Sequence, residues 1–112
     1  MTERFSGHAG EHLAEEYLRE LGAEILDRNF HAAGAEIDVI ARMDGRIVFV
    51  EVKARFGAKY GTPGETINAA KIARIRRAAM VYLKQHGGIA QPVRFDALLI
   101  SEHGVKHIPA AF

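Results

Sequence analysis

The chain has 112 residues, close to the commonest size of a single domain, and we expect one domain over residues 1–112. Nearly half of the residues are apolar and 26% are charged, as in a soluble globular protein, and no apolar run approaches the length needed to cross a bilayer. The absence of cysteine excludes disulfides and thiolate metal sites, and the N-terminus has no apolar signal segment, so a cytoplasmic protein is expected.

The net charge of +1 is distributed unevenly along the chain. Between Lys53 and His86 there are eight basic residues and one acid, Glu65, whereas the rest of the chain has seven basic and thirteen acidic residues. Charge segregated in this way can form one positive surface, the usual footprint of a phosphate backbone as partner. A solvated helix face would produce the same pattern.

The first predicted element is a helix over residues 6–21, with Ser6 as N-cap and Gly22 as the residue that ends it. Glu11 lies at the N-terminal border of the apolar stripe, where its side chain can lean over a sheet. Residues 24–30 follow as a short strand. The predicted stripe, at helical spacing, is Leu13, Ala14, Tyr17, Leu18 and Leu21.

Residues 35–55 are typical of two strands joined by a tight turn at Asp44-Gly45, since a type I′ turn needs positive φ at both central positions. With that turn, Asp38 is predicted to lie directly opposite Glu51. Facing residues have Cβ atoms roughly 5 Å apart, and two carboxylates at that separation repel each other. A divalent metal ion between them would remove the repulsion.

Period-two alternation predicts which residues of this hairpin share a face. One predicted group on the second strand is Ile47, Phe49, Glu51 and Lys53. One predicted group on the first strand is Ile37, Val39 and Ala41. The mixture of apolar and charged residues on one face indicates partial cover, with the charges gathered at one end. An ordinary amphipathic hairpin with cross-strand salt bridges such as Glu36–Lys53 also fits the pattern.

The remaining segments predict a loop at 56–65, the longest helix at 66–86 stopped by Gly87-Gly88, a strand at 93–100 and a last strand or tail at 105–112. Asp96, a lone acid in the apolar strand, is expected to be a paired core carboxylate, or else a residue that supports a site from behind. The order αβββαββ predicts an α/β fold with a central mixed five-stranded sheet flanked by helices.

Asp38, followed thirteen residues later by Glu51-x-Lys53, resembles the motif of PD-(D/E)xK nucleases, the restriction-endonuclease-like superfamily. Nearly the whole chain more closely resembles the small bacterial YraN-like family. That family is in turn similar to archaeal Holliday-junction resolvases, whose helical glutamate precedes a glycine by eleven residues, as Glu11 precedes Gly22. The matching stretches are GHAGEHLAEEYLRELGAEILDRNF, EIDVIAR, FVEVKAR, the K-x-x-R-I region of the long helix, RFD and the terminal AF. Ala35 departs from the glycine that is usual before the EID segment.

The resemblance implies a single nuclease-like domain with a restriction-endonuclease-like fold and a metal-dependent endonuclease acting on DNA, including branched or single-stranded structures. Mg²⁺ or Mn²⁺ would be held by Asp38, Glu51, Glu11 and the backbone carbonyl of Val52, and Lys53 would position the attacking water. These acids and Lys53 are the predicted catalytic residues. The predicted phosphate-binding residues are Arg55, Lys59, Lys71, Arg74 and Arg77.

Two other functions remain open from the sequence. A non-catalytic nucleic-acid-binding module could keep the nuclease-like fold, and a structural or partner-binding domain could use the acids only in an ion-pair network. Metal binding would favour the enzyme, and salt-sensitive DNA binding would separate the other two. A homodimer would suit a junction substrate with paired strands.

Overall fold

The structure is a computed structural model that describes residues 10–56 and 68–112. The predicted order αβββαββ is confirmed. Ser6 and the predicted loop beyond Phe56 lie outside the described residues. Within the described ranges, neither helix is long and apolar enough to cross a bilayer. The elements are α1 (Gly10–Glu20), β1 (Glu24–Ala32), β2 (Ala35–Met43), β3 (Arg46–Ala54), α2 (Ala69–Gln85), β4 (Val93–Ser101) and β5 (Gly104–Ile108).

The strands form one five-stranded mixed sheet, as predicted, and they lie in the order β1-β2-β3-β4-β5. β1, β2 and β3 are antiparallel neighbours, β3 and β4 are parallel, and β4 and β5 are antiparallel. A parallel pair needs a crossover connection, and α2 lies in the connection between β3 and β4. The carboxyl end of β3 and the beginning of α2 therefore belong to the same region of the fold.

Each face of the sheet packs against one helix. The strand residues that pack with α1 are Val39, Ala41, Met43, Val48, Val50, Leu98 and Ile100. The strand residues that pack with α2 are Ile37, Ile40, Ile47, Phe49 and Phe95. The alternation predicted along β3 is confirmed at Ile47 and Phe49, and burial of both faces explains why this strand is so apolar.

The common face predicted for Ile37, Val39 and Ala41 is wrong at Ile37. Ile37 packs with the α2 cluster, whereas Val39 packs with the α1 cluster, so the alternation breaks between them. Asn29 lies across from this point on β1 and has a φ of +51, a left-handed conformation that interrupts an extended strand. The irregularity falls at Asp38, the residue that was predicted to bind metal.

The chain turns where the sequence predicts. Asp44 and Gly45 have φ values of 55 and 76, the positive pair that a type I′ turn requires. Gly22 follows α1 with a φ of 93, and Gly87 and Gly88 follow α2 with φ values of 108 and 105. Glycine adopts this left-handed region without steric cost, which is why both helices end at these positions.

The buried face of α1 is narrower than the predicted stripe. Leu18 is fully buried, but Leu13 and Leu21 are 41% and 50% exposed. Glu15 is buried instead, because Arg28 of β1 donates two hydrogen bonds to its carboxylate at 2.8 and 2.9 Å. A bidentate ion pair of this kind lets an acid take a place that periodicity assigns to an apolar side chain.

Candidate metal and phosphate site

A cleft of about 230 Å³ opens at one end of the strands of the sheet, where β2 begins and β3 ends. Asp38 contributes from β2, Glu51 from β3, and Lys71 and Arg74 from the first turns of α2. The cleft therefore combines acidic residues from the sheet with basic residues from one helix. Its lining residues are Gly34, Ala35, Glu36, Asp38, Glu51, Lys71, Arg74 and Ile75.

Asp38 and Glu51 line this cleft without forming the backbone pair that the hairpin register predicts. The ladder between β2 and β3 ends at Val39–Val50, one step before Asp38 and Glu51 would face each other. Beyond that pair, Asp38 Oδ2 accepts a hydrogen bond of 2.7 Å from the N–H of Val52. The carboxylate itself replaces the missing ladder contact and stays anchored beside β3.

Glu36 is a further acid near Asp38, and the alternative interpretation of an ordinary hairpin paired it with Lys53 in a cross-strand salt bridge. In the structure it pairs across the sheet with His31 of β1, so the predicted pairing is wrong. The ladder to β3 stops before it reaches Glu36, which leaves that residue next to β1. Its spacing of two residues from Asp38 is the signal that could have identified it as a site residue.

Glu11, Glu36 and Asp38 bring one carboxylate oxygen each within 4.8 Å of one another. Asn29 lies between two of them and donates hydrogen bonds to Glu11 at 3.3 Å and to Glu36 at 2.7 Å. Carboxylate oxygens are the hard ligands that Mg²⁺ and Mn²⁺ prefer. The donor set fits either ion, and Glu11 of α1 lies where the sequence placed it, leaning over the sheet.

The position of Glu11 depends on a close contact made by its neighbour, Gly10. A Cβ atom built on Gly10 would lie 2.7 Å from the Cβ of Ala54, a distance that real side chains do not adopt. Only glycine therefore allows the first turn of α1 to approach the end of β3 this closely. The sequence gives no signal of this contact, because nothing local distinguishes Gly10 from any other glycine.

Burial and the surrounding acids change the ionisation of Asp38. Its pKa is raised to about 7, first by burial and then by the negative charges of Glu51, Glu11 and Glu36, against the lowering effect of the Val52 N–H. Near neutral pH the carboxyl is consequently balanced between its two protonation states. A cation held among these acids would favour the ionised form.

Glu51 is only 5% exposed, and two ammonium groups neutralise it. Lys71 Nζ donates a hydrogen bond to Glu51 Oε2, and Lys53 Nζ lies 3.5 Å from the same oxygen. Burial and the neighbouring Lys71 lower the pKa of Lys53. Burial also tends to lower the pKa of Lys71, but its hydrogen bond to Glu51 and the negative charges of Glu51 and Asp38 act together with its contact to Lys53 and leave the pKa raised.

The other predicted phosphate-binding residues lie in different settings. Arg74 lines the cleft and is exposed, and Arg77 is exposed on the next turn of α2. Arg55 is half-buried and donates a hydrogen bond of 3.0 Å to the carbonyl of Ala54. Lys59 lies outside the described residues.

Asp96 is separate from the cleft and fully buried. Two nitrogens of Arg94 donate to it at 2.8 Å each, His107 Nε2 lies 2.7 Å away, and the N–H of Ala110 donates at 3.0 Å. Burial tends to raise the pKa of this carboxyl, but the hydrogen bonds from Arg94, His107 and Ala110 and the charge of Arg94 together lower it. The expectation of a paired core carboxylate is confirmed.

The fold and the cleft define an α/β protein with an acidic, lysine-containing site at one edge of a mixed sheet. The model of the uncharacterised protein family UPF0102 matches residues 10–100. The chain belongs to this family, the YraN-like family that the sequence resembles.

Similar proteins with the same family name occur in distant bacteria. The protein of Symbiobacterium thermophilum is 48% identical over 92 residues, which cover 82% of this chain and 78% of that protein. The relative in Frankia casuarinae is 41% identical over 111 residues, covering 95% and 94%. The relative in Persephonella marina is 42% identical over 106 residues, covering 95% and 91%. The similarity thus extends over the candidate site as well as the core.

Proposed function

We propose that this protein is a metal-dependent endonuclease of the PD-(D/E)xK type that hydrolyses phosphodiester bonds in DNA, with branched or single-stranded structures as substrates. One observation carries the proposal: Asp38 and Glu51 line a single cleft, with Lys53 beside Glu51 and Glu11 beside Asp38. A carboxyl with a raised pKa, near a partly buried lysine whose pKa is lowered, is typical of a catalytic site.

In this proposal Asp38 and Glu51 hold Mg²⁺ or Mn²⁺, and Glu11 and the backbone carbonyl of Val52 complete the donor set. A bound ion would supply a water molecule of lowered pKa and would neutralise charge on the phosphate. Lys53 orients that water through its ammonium group and offsets the negative charge that develops on the phosphate oxygens. The nearby Glu51 carboxylate limits the directions in which this ammonium can point.

The basic side of the cleft suits a phosphate backbone rather than a particular base sequence. Arg74 and Arg77 are exposed on successive turns of α2, and Arg74 lines the same cleft as the acids. Arginine forms paired hydrogen bonds to phosphate oxygens, which position a strand without reading its bases. A nucleic-acid strand bound along α2 would carry a phosphate past Asp38.

The test is a panel of four-way junction, nicked, single-stranded and duplex DNA, with RNA alongside, incubated with the protein and Mn²⁺. We expect wild-type protein to cut at least one DNA structure, and Asp38→Asn to reduce the rate by about 100-fold or more, because the amide loses the charge that holds the ion. Glu16→Gln is the matched control, since it makes the same acid-to-amide change at an exposed position of α1. Undiminished cleavage by Asp38→Asn would defeat the assignment.

A non-catalytic nucleic-acid-binding module is the second candidate, and the pairing of Glu51 with two lysines favours it. An acid that is already neutralised does not repel a phosphate backbone, so strands could bind without metal. Calorimetric titration with Mn²⁺ separates the two candidates. Salt-sensitive DNA binding without any metal binding would support the second candidate and exclude the first.

A further inference from the structure

Lys71 makes a contact that a residue used only for phosphate binding would not need. Its ammonium donates to the buried carboxylate of Glu51, although its own side chain remains 29% exposed at the cleft wall. The backbone at this point is held firmly, because the N-cap residue Asn68 accepts a hydrogen bond of 2.9 Å from the N–H of Lys71. The side chain can therefore move while its anchor on α2 stays in place.

The contacted carboxylate is the one that the proposed metal site requires. Glu51 Oε2 is shared by Lys71 and by Lys53, whose ammonium is farther away at 3.5 Å. A divalent ion bound to Glu51 would meet the Lys71 ammonium at the same carboxylate, and two cations at that distance repel each other. Lys71 has a flexible four-carbon stem and faces the cleft, so it has space into which it can withdraw.

We propose that Lys71 is a displaceable counter-ion, which neutralises Glu51 while the site holds no metal and withdraws into the cleft when a divalent cation binds. The inference rests on the proposed metal site and deepens it. Because Lys71 lines the cleft together with Arg74, the released ammonium adds one positive charge to the surface offered to phosphate. Metal binding and phosphate binding would then strengthen each other, as thermodynamic linkage requires.

The experiment is a calorimetric titration of the full chain with MnCl₂ in the absence of nucleic acid. Lys71→Met removes the competing cation and should tighten Mn²⁺ binding by about tenfold, within the usual range of coupling between sites. Lys71→Arg keeps the charge and should stay within about threefold of wild type. Arg74→Met is the matched control, because it removes the same charge from the same cleft wall without a described contact to Glu51.

Three outcomes would overturn the proposal. Lys71→Met could bind Mn²⁺ no more tightly than wild type, it could gain no more than Arg74→Met does, or none of the proteins could bind the ion. Wild-type protein that binds no Mn²⁺ beside a Lys71→Met variant that does would support the proposal, since the lysine would then fill the site outright.

A second measurement uses wild-type protein alone and does not depend on the folding of a variant. Nuclear magnetic resonance of the ε-methylene group of Lys71 during a Mg²⁺ titration should show a shift that saturates together with the signals of Asp38. A Lys71 signal that stays constant while Asp38 saturates would overturn the displacement.

Both measurements omit DNA, so their result is distinguishable from a failure of the proposed nuclease function. Tighter Mn²⁺ binding in Lys71→Met without any DNA cleavage would support the counter-ion role and defeat the nuclease. DNA cleavage by wild-type protein, together with equal Mn²⁺ affinity of wild type and Lys71→Met, would support the nuclease and defeat the counter-ion role.

Discussion

Asp38 shows how burial and like charge together set the chemistry of one residue. The carboxyl keeps one good hydrogen bond, from the N–H of Val52, yet its pKa is raised to about 7 by burial and by the acids around it. In the unfolded chain the same group ionises near its ordinary pKa of 3.8. Folding without metal therefore disfavours the ionised form of Asp38. This lowers the free energy of unfolding of the metal-free protein, and a bound cation would offset the loss.

This loss predicts a pH-dependent effect of Asp38→Asn on stability. The contribution of Asp38 to stability is fully present below pH 3.8 and is lost as the pH rises to about 7, because the unfolded chain releases its proton first. Asparagine can still accept the Val52 hydrogen bond but cannot ionise. In EDTA at pH 8 we expect the free energy of unfolding of the variant to be about 1–3 kcal/mol higher than that of wild type.

Urea denaturation at pH 4 and pH 8 measures this difference. The advantage of Asp38→Asn should be small at pH 4 and should grow up to about pH 7. A constant difference between the two proteins across this range would contradict the raised pKa. A variant that is more stable and yet inactive would also separate a functional role of Asp38 from a structural one.

At the scale of elements, the site depends on how closely α1 approaches the end of β3. The helix begins at Gly10, which packs closely against Ala54. Glu11 is the next residue, and its carboxylate lies near the acids of β2. The other end of the helix is fixed by Gly22 in a turn where a side chain would have open space. Gly10 is therefore needed for close packing, and Gly22 is needed for a positive φ.

Gly10→Ala should destabilise the protein even though alanine is the better helix former. A methyl group at this point would overlap Ala54, and overpacking of this kind costs about 1–3 kcal/mol. The first turn must shift to relieve the contact and should carry Glu11 away from Asp38, which weakens Mn²⁺ binding. Urea denaturation and calorimetry measure the two effects.

Gly22→Ala is the control at the opposite end of the same helix. Its φ of 93 makes alanine strained there, so stability should fall by about 1 kcal/mol, but no acid of the cleft moves. Equal effects of both substitutions on Mn²⁺ affinity would show that the approach at Gly10 does not position Glu11.

At the scale of the whole molecule, the charge of the chain is nearly balanced but is separated in space. The acids of the site come from α1, β2 and β3, whereas the basic residues that line the cleft come from α2. A protein with a net charge of only +1 can in this way attract a polyanion at one surface. Association with nucleic acid should then depend strongly on salt.

Replacing Arg74 and Arg77 together by glutamine should weaken DNA binding at low salt and reduce the slope of log K against log salt by about 2, one for each lost phosphate contact. Fluorescence anisotropy with a labelled DNA over a range of NaCl concentrations gives the slope. Arg46→Gln with Lys106→Gln removes the same charge from other parts of the fold, at the hairpin turn and on β5. An unchanged slope in the α2 variant would exclude that helix as the phosphate surface.

The sequence by itself determined the order of the elements, the sheet type and the places where the chain turns. Asp44-Gly45 and Gly87-Gly88 stop their elements because glycine and aspartate tolerate positive φ, a property of the local backbone. The alternation along β3 likewise depends only on the strand period. The sequence also predicted that Asp38 and Glu51 lie at one end of a hairpin, since their positions follow from counting residues from the turn.

Only the tertiary structure decided which groups meet at that end. The ladder stops at Val39–Val50, so Glu36 remains beside β1 and not opposite Lys53. Lys71 of α2 donates a hydrogen bond to the carboxylate of Glu51. The contact between Lys71 and Glu51 joins residues that are 20 positions apart in the chain. These contacts depend on how the helices approach the sheet and on where a ladder ends, and no period or turn signal in a single strand carries that information.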